Sequence, residues 1–267
     1  MISSAFRTLR ILEAIGRADR PLGVTDIARQ LGLAPGTVFR GLDALEHAGY
    51  VSRFESSPRY VAGPVVNQLR QALLARFTLR DVALPYLRQL AFATGETVSL
   101  TMKVGWYALR LIAVPGINEV TSSPPVGDVR LLEQTCAGQA ILAFLPRDRL
   151  HEYCGWAAAA AVGGQQGSSI DEIVSSTRKR GFAIEVASFA TNRAAAAFPV
   201  RGTDGPIAAV GIEAPVLHLD HVGYHDGINQ WIEIVGSLEK VVRARPAMFE
   251  TPFGHLDPAN IVLSSAQ

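Results

Sequence analysis

Cysteine is scarce in this 267-residue chain: Cys136 and Cys154 are the only two. They allow at most one disulfide and make no Cys-x-x-Cys metal or redox pair, so the plain expectation is a reduced, cytoplasmic chain. Long apolar runs are missing too. Arg7 and Arg10 interrupt the N-terminal region, which excludes a signal-peptide core, and no stretch approaches the ~20 apolar residues needed to span a bilayer. Charged residues make up only 18% against 48% hydrophobic, too little charge for a disordered protein and enough apolar material for real cores. Catalytic signatures are absent: there is no Gly-x-Ser-x-Gly elbow and no His-Glu-x-x-His pair. Gly163-Gly164 with Gly167 lacks the Lys-Ser/Thr of a phosphate loop and reads as a flexible connection.

A global basic signal is also lacking, because the formal charge is +1. The distribution is uneven, however. Residues 1–80 hold 11 arginines, no lysine and 6 acids, a formal +5, whereas the remainder carries −4. A basic front on a mildly acidic rear fits a phosphate-binding module joined to something else.

The front reads as three short helices and a hairpin. Ala5, Leu9, Leu12 and Ile15 recur at helical spacing. Gly16 to Gly23, with Pro21, breaks that pattern. Thr25 is expected to cap a second helix, with Asp26 in its first turn and Ile27, Ala28 and Leu31 on its buried stripe. Gly32 ends it in a left-handed conformation. Pro35 opens a third helix. Its Val38, Leu42 and Leu45 share one face, while Thr37, Phe39, Arg40 and Asp43 point elsewhere, and Gly49 closes it. Tyr50–Phe54 and Arg59–Val61 then read as strands around Glu55-Ser56-Ser57-Pro58.

This is the pattern of a winged helix-turn-helix, whose recognition helix enters the major groove with its N-terminal side chains against base edges. Arg53 and Arg59 flank the wing, within expected reach of phosphate or the minor groove. Small trihelical units also serve as protein-contact modules, so a small-molecule-binding protein with a non-DNA front is the alternative reading.

The rear reads as mixed helix and strand. Val98–Val104 and Tyr107–Val114 are β-rich runs about Gly105-Trp106. Ser169 with Glu172 makes a capping box for a helix ending near Gly181. Ala197–Arg201 and Pro206–Ala214 flank the turn Asp204-Gly205. Ile228, Trp231, Ile232, Val235, Leu238 and Val242 mark a closing amphipathic helix. The class is therefore α+β, with helices packed on an antiparallel sheet.

In order and spacing, the motifs resemble the IclR-type transcription regulators. The matching residues run Pro21-Leu22-Gly23-Val24-Thr25-Asp26-Ile27-Ala28, Leu31-Gly32-Leu33, Thr37-Val38, Arg40, Leu42, Leu45 and Gly49-Tyr50-Val51. They continue through Arg59-Tyr60, Gly63-Pro64, Leu79-Arg80-Asp81-Val82-Ala83, Pro85-Tyr86-Leu87 and Gly95-Glu96-Thr97-Val98. Thr135, Gly138, Ala140, Leu142, Ala143, Gly181-Phe182 and Pro199-Val200 complete the set.

The resemblance implies four segments: a winged helix-turn-helix over 1–64, a linker helix over 65–78, a GAF-like effector domain over 79–245 and a tail over 246–267. It implies dimers or tetramers on palindromic operator DNA, a small-molecule effector, no catalysis and no cofactor. It also implies a site. The family's acid position falls near Glu185, its frequent cysteine on Ala195, and two strand serines on Gly211 and Glu213. A serine-lined pocket suits a small carboxylate, and Glu213 would repel one by like charge. The expected effector is therefore neutral, aromatic or amine-bearing, with Trp106, Tyr107, Trp156 and Phe198 as apolar walls. Otherwise, Glu213 faces solvent and the pocket is shifted.

The recognition helix departs from the family as well. Gly36 replaces a usual serine, so any phosphate contact there comes from backbone N–H. Phe39 replaces a frequent histidine and either touches a thymine methyl or joins the core. Arg40 is the candidate base or phosphate contact, unless it pairs with Asp43 or Glu46 one turn on. The expected DNA contacts are Thr25, Pro35, Gly36, Thr37, Phe39, Arg40, Arg53 and Arg59. His218, His221 and His225 with Asp220 and Asp226 form the one metal-like grouping, read as a loop rather than a metal site. His151 beside Cys154 lacks the third group that would orient a thiol nucleophile.

Overall fold

A computed structural model describes residues 4–55, 57–74, 78–117, 124–159, 169–186, 193–215 and 224–249. It divides into two compact units, residues 1–76 and 77–267.

The first unit contains α1 (Ser4–Gly16), β1 (Leu22–Gly23), α2 (Val24–Leu31), α3 (Pro35–His47), β2 (Val51–Arg53), β3 (Arg59–Ala62) and α4 (Pro64–Leu74). Ile11, Ile15, Ile27, Val38, Leu42 and Tyr60 meet in one core. The buried stripe of α1 is rotated from the expected one: Ile11, Ala14 and Ile15 point inward, while Leu9 is 57% exposed. Helical spacing fits both registers, and packing against α3 selects the one with two isoleucines. A Cβ at Gly41 of α3 would stand 2.6 Å from Ile11 Cδ1, so a glycine sets how closely α1 and α3 approach.

The cap of α2 also differs from expectation. Gly23 is the N-cap, Thr25 lies inside the first turn, and the Asp26 carboxylate accepts the Gly23 N–H at 3.2 Å. Asp26 thus supplies the reciprocal half of a capping box that glycine cannot complete. Gly32 does end α2, at φ 64°. The hairpin is present and gains a third strand that the sequence did not suggest, in the order β1-β3-β2.

The second unit begins with α5 (Thr78–Thr94). A six-stranded antiparallel sheet follows, built from β4 (Thr97–Val104), β5 (Tyr107–Val114), β6 (Val129–Leu131), β7 (Ala183–Val186), β8 (Arg193–Arg201) and β9 (Pro206–Pro215). Their order is β6-β5-β4-β9-β8-β7. Helices α6 (Cys136–Ala143), α7 (Arg147–Ala159), α8 (Ile170–Arg180) and α9 (Tyr224–Ala244) complete the unit.

Both faces of the sheet are covered, which is why β9 is buried along most of its length and does not alternate apolar with polar. Ala195, Ala197 and Ala209 pack with Ala137, Ala140 and Ile141 of α6. On the other face Phe198 stacks on Phe182, with centroids 5.1 Å apart, and meets Trp231 of α9 edge-on at 6.4 Å. Helix α6 sits close because Thr135 caps it, accepting the Gly138 N–H at 3.0 Å. A Cβ at Gly138 would stand 2.2 Å from the Leu132 carbonyl oxygen, so no larger residue fits there without displacing backbone.

Of the expected linker over 65–78, residues 65–74 lie in α4 and Thr78 opens α5. Strand β8 starts four residues earlier than its composition suggested. Its alanines lack β-branching, but they fit the narrow space under α6. Of the proposed metal grouping, His218, Asp220 and His221 lie outside the described residues, as do Gly163, Gly164 and Gly167. So do the side chains of His225 and Asp226 and the tail beyond residue 249.

Candidate functional site

The strand pairings lay out a polar row across the α6-facing side of the sheet in the second unit. Glu185 on β7 pairs with Ala195 on β8, Ala195 with Glu213 on β9, and Glu213 with Thr97 on β4. One row away Ala197, Gly211 and Ser99 follow in register. Side chains two apart on a strand share a face, so Glu185, Ala195, Ala197, Gly211, Glu213, Ser99 and Thr101 point the same way.

Arg110 joins them through a β-bulge. Leu100 pairs with Ile112 but Thr101 pairs with Arg110, skipping Leu111. The extra residue reverses the alternation, so Arg110 and Ala113 share a face although they are three apart.

These residues line a cavity of about 410 Å³ beneath the start of α6, with Thr135, Cys136 and Ala137 as its roof. Its floor is small, made of Ala195, Ala197 and Gly211. At its centre Arg110 donates to the Glu213 carboxylate, with side chains only 10% and 4% exposed. Ser99 Oγ donates to the same oxygen at 3.4 Å. Glu185 occupies the start of α6, where Oε2 accepts the Cys136 N–H at 3.1 Å. That position carries the positive end of the helix dipole and suits an anion. The Cys136 thiol donates to the Ala195 carbonyl at 3.4 Å, tying α6 to β8. At the rim Arg130 pairs with Asp128 at 3.0 Å. Two arginines and three carboxylates therefore line the cavity, a formal charge of −1.

Glu185, Ala195, Gly211 and Glu213 thus come together around one cavity. Trp106, Tyr107 and Phe198 do not line it. Trp106 is 2% exposed and packs edge-on against Tyr153 at 5.4 Å, and Tyr107 meets Trp156 at 6.4 Å. The residues after the β4–β5 turn carry these rings towards α7, and Phe198 points to the α9 face. The expected aromatic walls are structural core. Glu213 is buried rather than solvent-facing, and Arg110 matches its charge. Simple like-charge repulsion is therefore not what this site presents to a ligand. Sequence reading missed Arg110, whose place on the face depends on the bulge.

In the first unit, α3 presents Pro35, Gly36, Thr37, Phe39 and Arg40 away from the core, with Val38 and Leu42 buried beneath. Phe39 is 52% exposed and so is not a core residue. The Thr37 N–H turns back to the Ala34 carbonyl at 2.9 Å, while a Cβ at Gly36 would meet nothing within 4 Å. Among the described residues Arg40 makes no ion pair, because Glu46 instead accepts from Arg53 at 3.2 Å. Both wing arginines are engaged within the unit. Arg53 also lies over the Tyr60 ring at 5.7 Å. Arg59 reaches Asp26 at 3.3 Å and the Pro21 carbonyl at 3.0 Å. The Gly23 N–H, with Arg59 in support, holds the Asp26 carboxyl below its ordinary 3.8. Thr25 is exposed and caps nothing.

Elsewhere burial, with Asp171 nearby, pushes the Cys154 thiol up, which disfavours a thiolate beside His151. Among the described residues no group of acids, histidines and cysteines could hold a metal, and no helix is long and apolar enough to cross a membrane.

An exposed recognition helix on a trihelical winged unit, with a second unit enclosing a polar cavity, defines a ligand-responsive, DNA-binding transcription regulator. The chain belongs to the IclR family. Residues 4–53 match the IclR helix-turn-helix domain and residues 71–235 match the bacterial transcriptional regulator IclR C-terminal domain. It is similar to the glycerol operon regulatory protein of Streptomyces coelicolor, at 29% identity over 226 residues, covering 83% of this chain and 88% of that protein. The transcriptional repressor IclR of Escherichia coli is 26% identical over 227 residues, covering 80% and 81%. In fold it resembles a regulator from Rhodococcus sp. RHA1, with TM-score 0.70, 22% identity and coverage of 92% and 99%. It likewise resembles an IclR homolog from Microbacterium hydrocarbonoxydans complexed with 4-hydroxybenzoate, with TM-score 0.69, 18% identity and coverage of 91% and 98%. The helix-turn-helix match favours DNA over the protein-contact reading of the front unit.

Proposed function

We propose that this regulator senses a small neutral or amine-bearing compound bound between α6 and the sheet, and that its occupancy alters affinity for operator DNA. The carrying observation is that both places where a carboxylate would dock are already filled from within the protein. Glu213 neutralises Arg110, and Glu185 occupies the α6 start. A ligand amine or hydroxyl can donate to Glu185, and the alanine–glycine floor admits a flat ring. The cavity falls within the ~300–1,000 Å³ range of small-molecule sites. The 4-hydroxybenzoate of the Microbacterium homolog carries a carboxylate that this lining disfavours, but its ring is of a suitable kind.

Titration calorimetry with benzylamine, benzyl alcohol, glyoxylate and pyruvate tests this reading. Benzylamine binds the full chain more tightly than either keto acid, and Glu185→Gln weakens it by about tenfold, the loss of one charge-assisted hydrogen bond. Glyoxylate or pyruvate binding as tightly as benzylamine overturns it.

On the DNA side, Arg40 is assigned the base or phosphate contact, Gly36 N–H a phosphate, and Phe39 a thymine methyl. Pro35, Thr37 and Thr25 border that surface. Arg53 and Arg59 support the wing and reach DNA only by exchanging Glu46 and Asp26 for phosphate. The protein acts in the cytoplasm as a homodimer or a pair of dimers on a palindromic operator, since two-fold half-sites mirror two-fold protein symmetry. Arg40→Ala lowers operator affinity in mobility-shift assays by about 1–3 kcal/mol while melting is unchanged. A comparable loss of thermal stability instead makes Arg40 a structural residue.

A further inference from the structure

A second cavity, of about 290 Å³, opens in the same unit at the far end of the β8–β9 hairpin. Its wall combines apolar Leu145, Ile207, Val242 and Phe249 with two cations, Lys103 and Arg149. Asp204 is the one acid in the lining, so its formal charge is +1, opposite in sign to that of the first cavity. Asp204 is exposed on the hairpin turn and accepts from Thr203 Oγ1 at 3.3 Å.

The two cations differ. Arg149 is committed: it pairs with Glu152 at 2.6 Å and lies over the Trp106 ring at 5.1 Å. Lys103 extends from β4 and, among the described residues, makes no hydrogen bond or ion pair. Burial, then the nearby Arg149, disfavour its charged form, and Glu152 offsets them only in part. A partly buried ammonium beside a second cation is costly unless an anion shares the space. The one carboxylate that favours its charge, Glu152, is exposed and already pairs with Arg149.

We propose that this cavity is a second ligand site, which takes a small monocarboxylate with an apolar body. Its carboxylate meets Lys103, with Arg149 adding field, and its hydrocarbon part lies on Phe249, Ile207 and Val242. A carboxylate fits better than a phosphate dianion, because one uncommitted ammonium and one already paired guanidinium offer little more than a single charge. The site lies on the strand that also carries Ser99 and Thr101 into the first cavity. A monocarboxylate and an amine therefore bind the same sheet at separate places.

Hexanoate is the probe, with hexanamide as its neutral counterpart. Titration calorimetry on the full chain reads hexanoate binding that hexanamide does not match. Lys103→Met lowers hexanoate affinity by about tenfold to a hundredfold, the range for a lost hydrogen bond to a charged group. Glu185→Gln, which alters the first cavity, leaves it unchanged. Lys103→Met removes an unpaired charge from a half-buried place, so it melts no lower than the parent. If it fails to fold, Arg149→Gln replaces it and lowers affinity less. NMR of the chain with its three lysines 13C-methylated gives the location: the Lys103 signal moves with hexanoate, and those of Lys179 and Lys240 do not. Equal binding of hexanamide, binding unaffected by Lys103→Met, or no binding at about 10 mM hexanoate each overturns the proposal. Hexanoate binding that strengthens in Glu185→Gln instead places the carboxylate in the first cavity. That result contradicts this proposal and the effector reading above together.

Discussion

Glu213→Gln is the most informative single change in this protein. It removes one partner of a buried ion pair and leaves the Arg110 guanidinium facing a neutral amide. Breaking a buried pair in this way costs about 3–5 kcal/mol where the remaining charge is fully enclosed. Arg110 is 10% exposed and borders a cavity, so water recovers part of that, and a loss of about 2–3 kcal/mol is expected. For a unit of this size that lowers the melting temperature by roughly 4–12 °C. Arg110→Met with Glu213→Gln removes both charges and recovers most of the loss, because an apolar replacement for a buried pair is often neutral. The single variant also changes what the cavity accepts: with the Glu213 charge removed, glyoxylate binds and raises the melting temperature. Thermal melting of the parent, both singles and the double, with and without glyoxylate, reads all of this. A single variant within about 0.5 kcal/mol of the parent, or a double as unstable as the sum of its singles, refutes the claim that the two charges compensate each other.

Two other outcomes follow from the geometry. Gly138→Ala drives a methyl into the Leu132 carbonyl; denaturant unfolding is expected to show a loss of at least about 2 kcal/mol, far above that of Gly36→Ala, where the space is open. At acid pH, Asp26 stabilises the first unit only while ionised. Its pKa is depressed on folding, so the contribution is complete above the ordinary value of 3.8 and fades as pH falls through the lower folded value. Asp26→Asn therefore lowers the melting temperature at neutral pH and removes that part of the acid-side decline.

Much of the first unit is legible in sequence because its determinants are local. Gly32 in the left-handed region, Pro35 at a helix start and the spacing of Val38, Leu42 and Leu45 each act within a few residues. Elsewhere local rules tie. Leu9 and Ile11 both fit a helical stripe, and Thr25 and Gly23 both fit a cap, so the packing of α1 on α3 and the reach of Asp26 decided. In the second unit the polar row came from the family resemblance, and strand register then showed why those positions meet. Arg110 was out of reach for a physical reason. Plain alternation along β5 places it opposite Ala113, and only pairing with β4 reveals the skipped residue at Leu111. Trp106, Tyr107 and Phe198 are not placed by sequence, because large rings suit a ligand wall and a core equally well by composition.

The floor of Ala195, Ala197 and Gly211 bears on how such a sensor diverges. Strand pairing uses backbone groups alone, so a methyl gained or lost at these positions alters the room above the sheet without touching a hydrogen bond of its scaffold. Under the proposed function, the shape of what is recognised is written in three Cβ positions, and its charge in Glu185 and Glu213, with the DNA-reading surface on α3 in the other unit. A descendant can change the compound it answers to by single substitutions and keep its operator, or change operators and keep its signal.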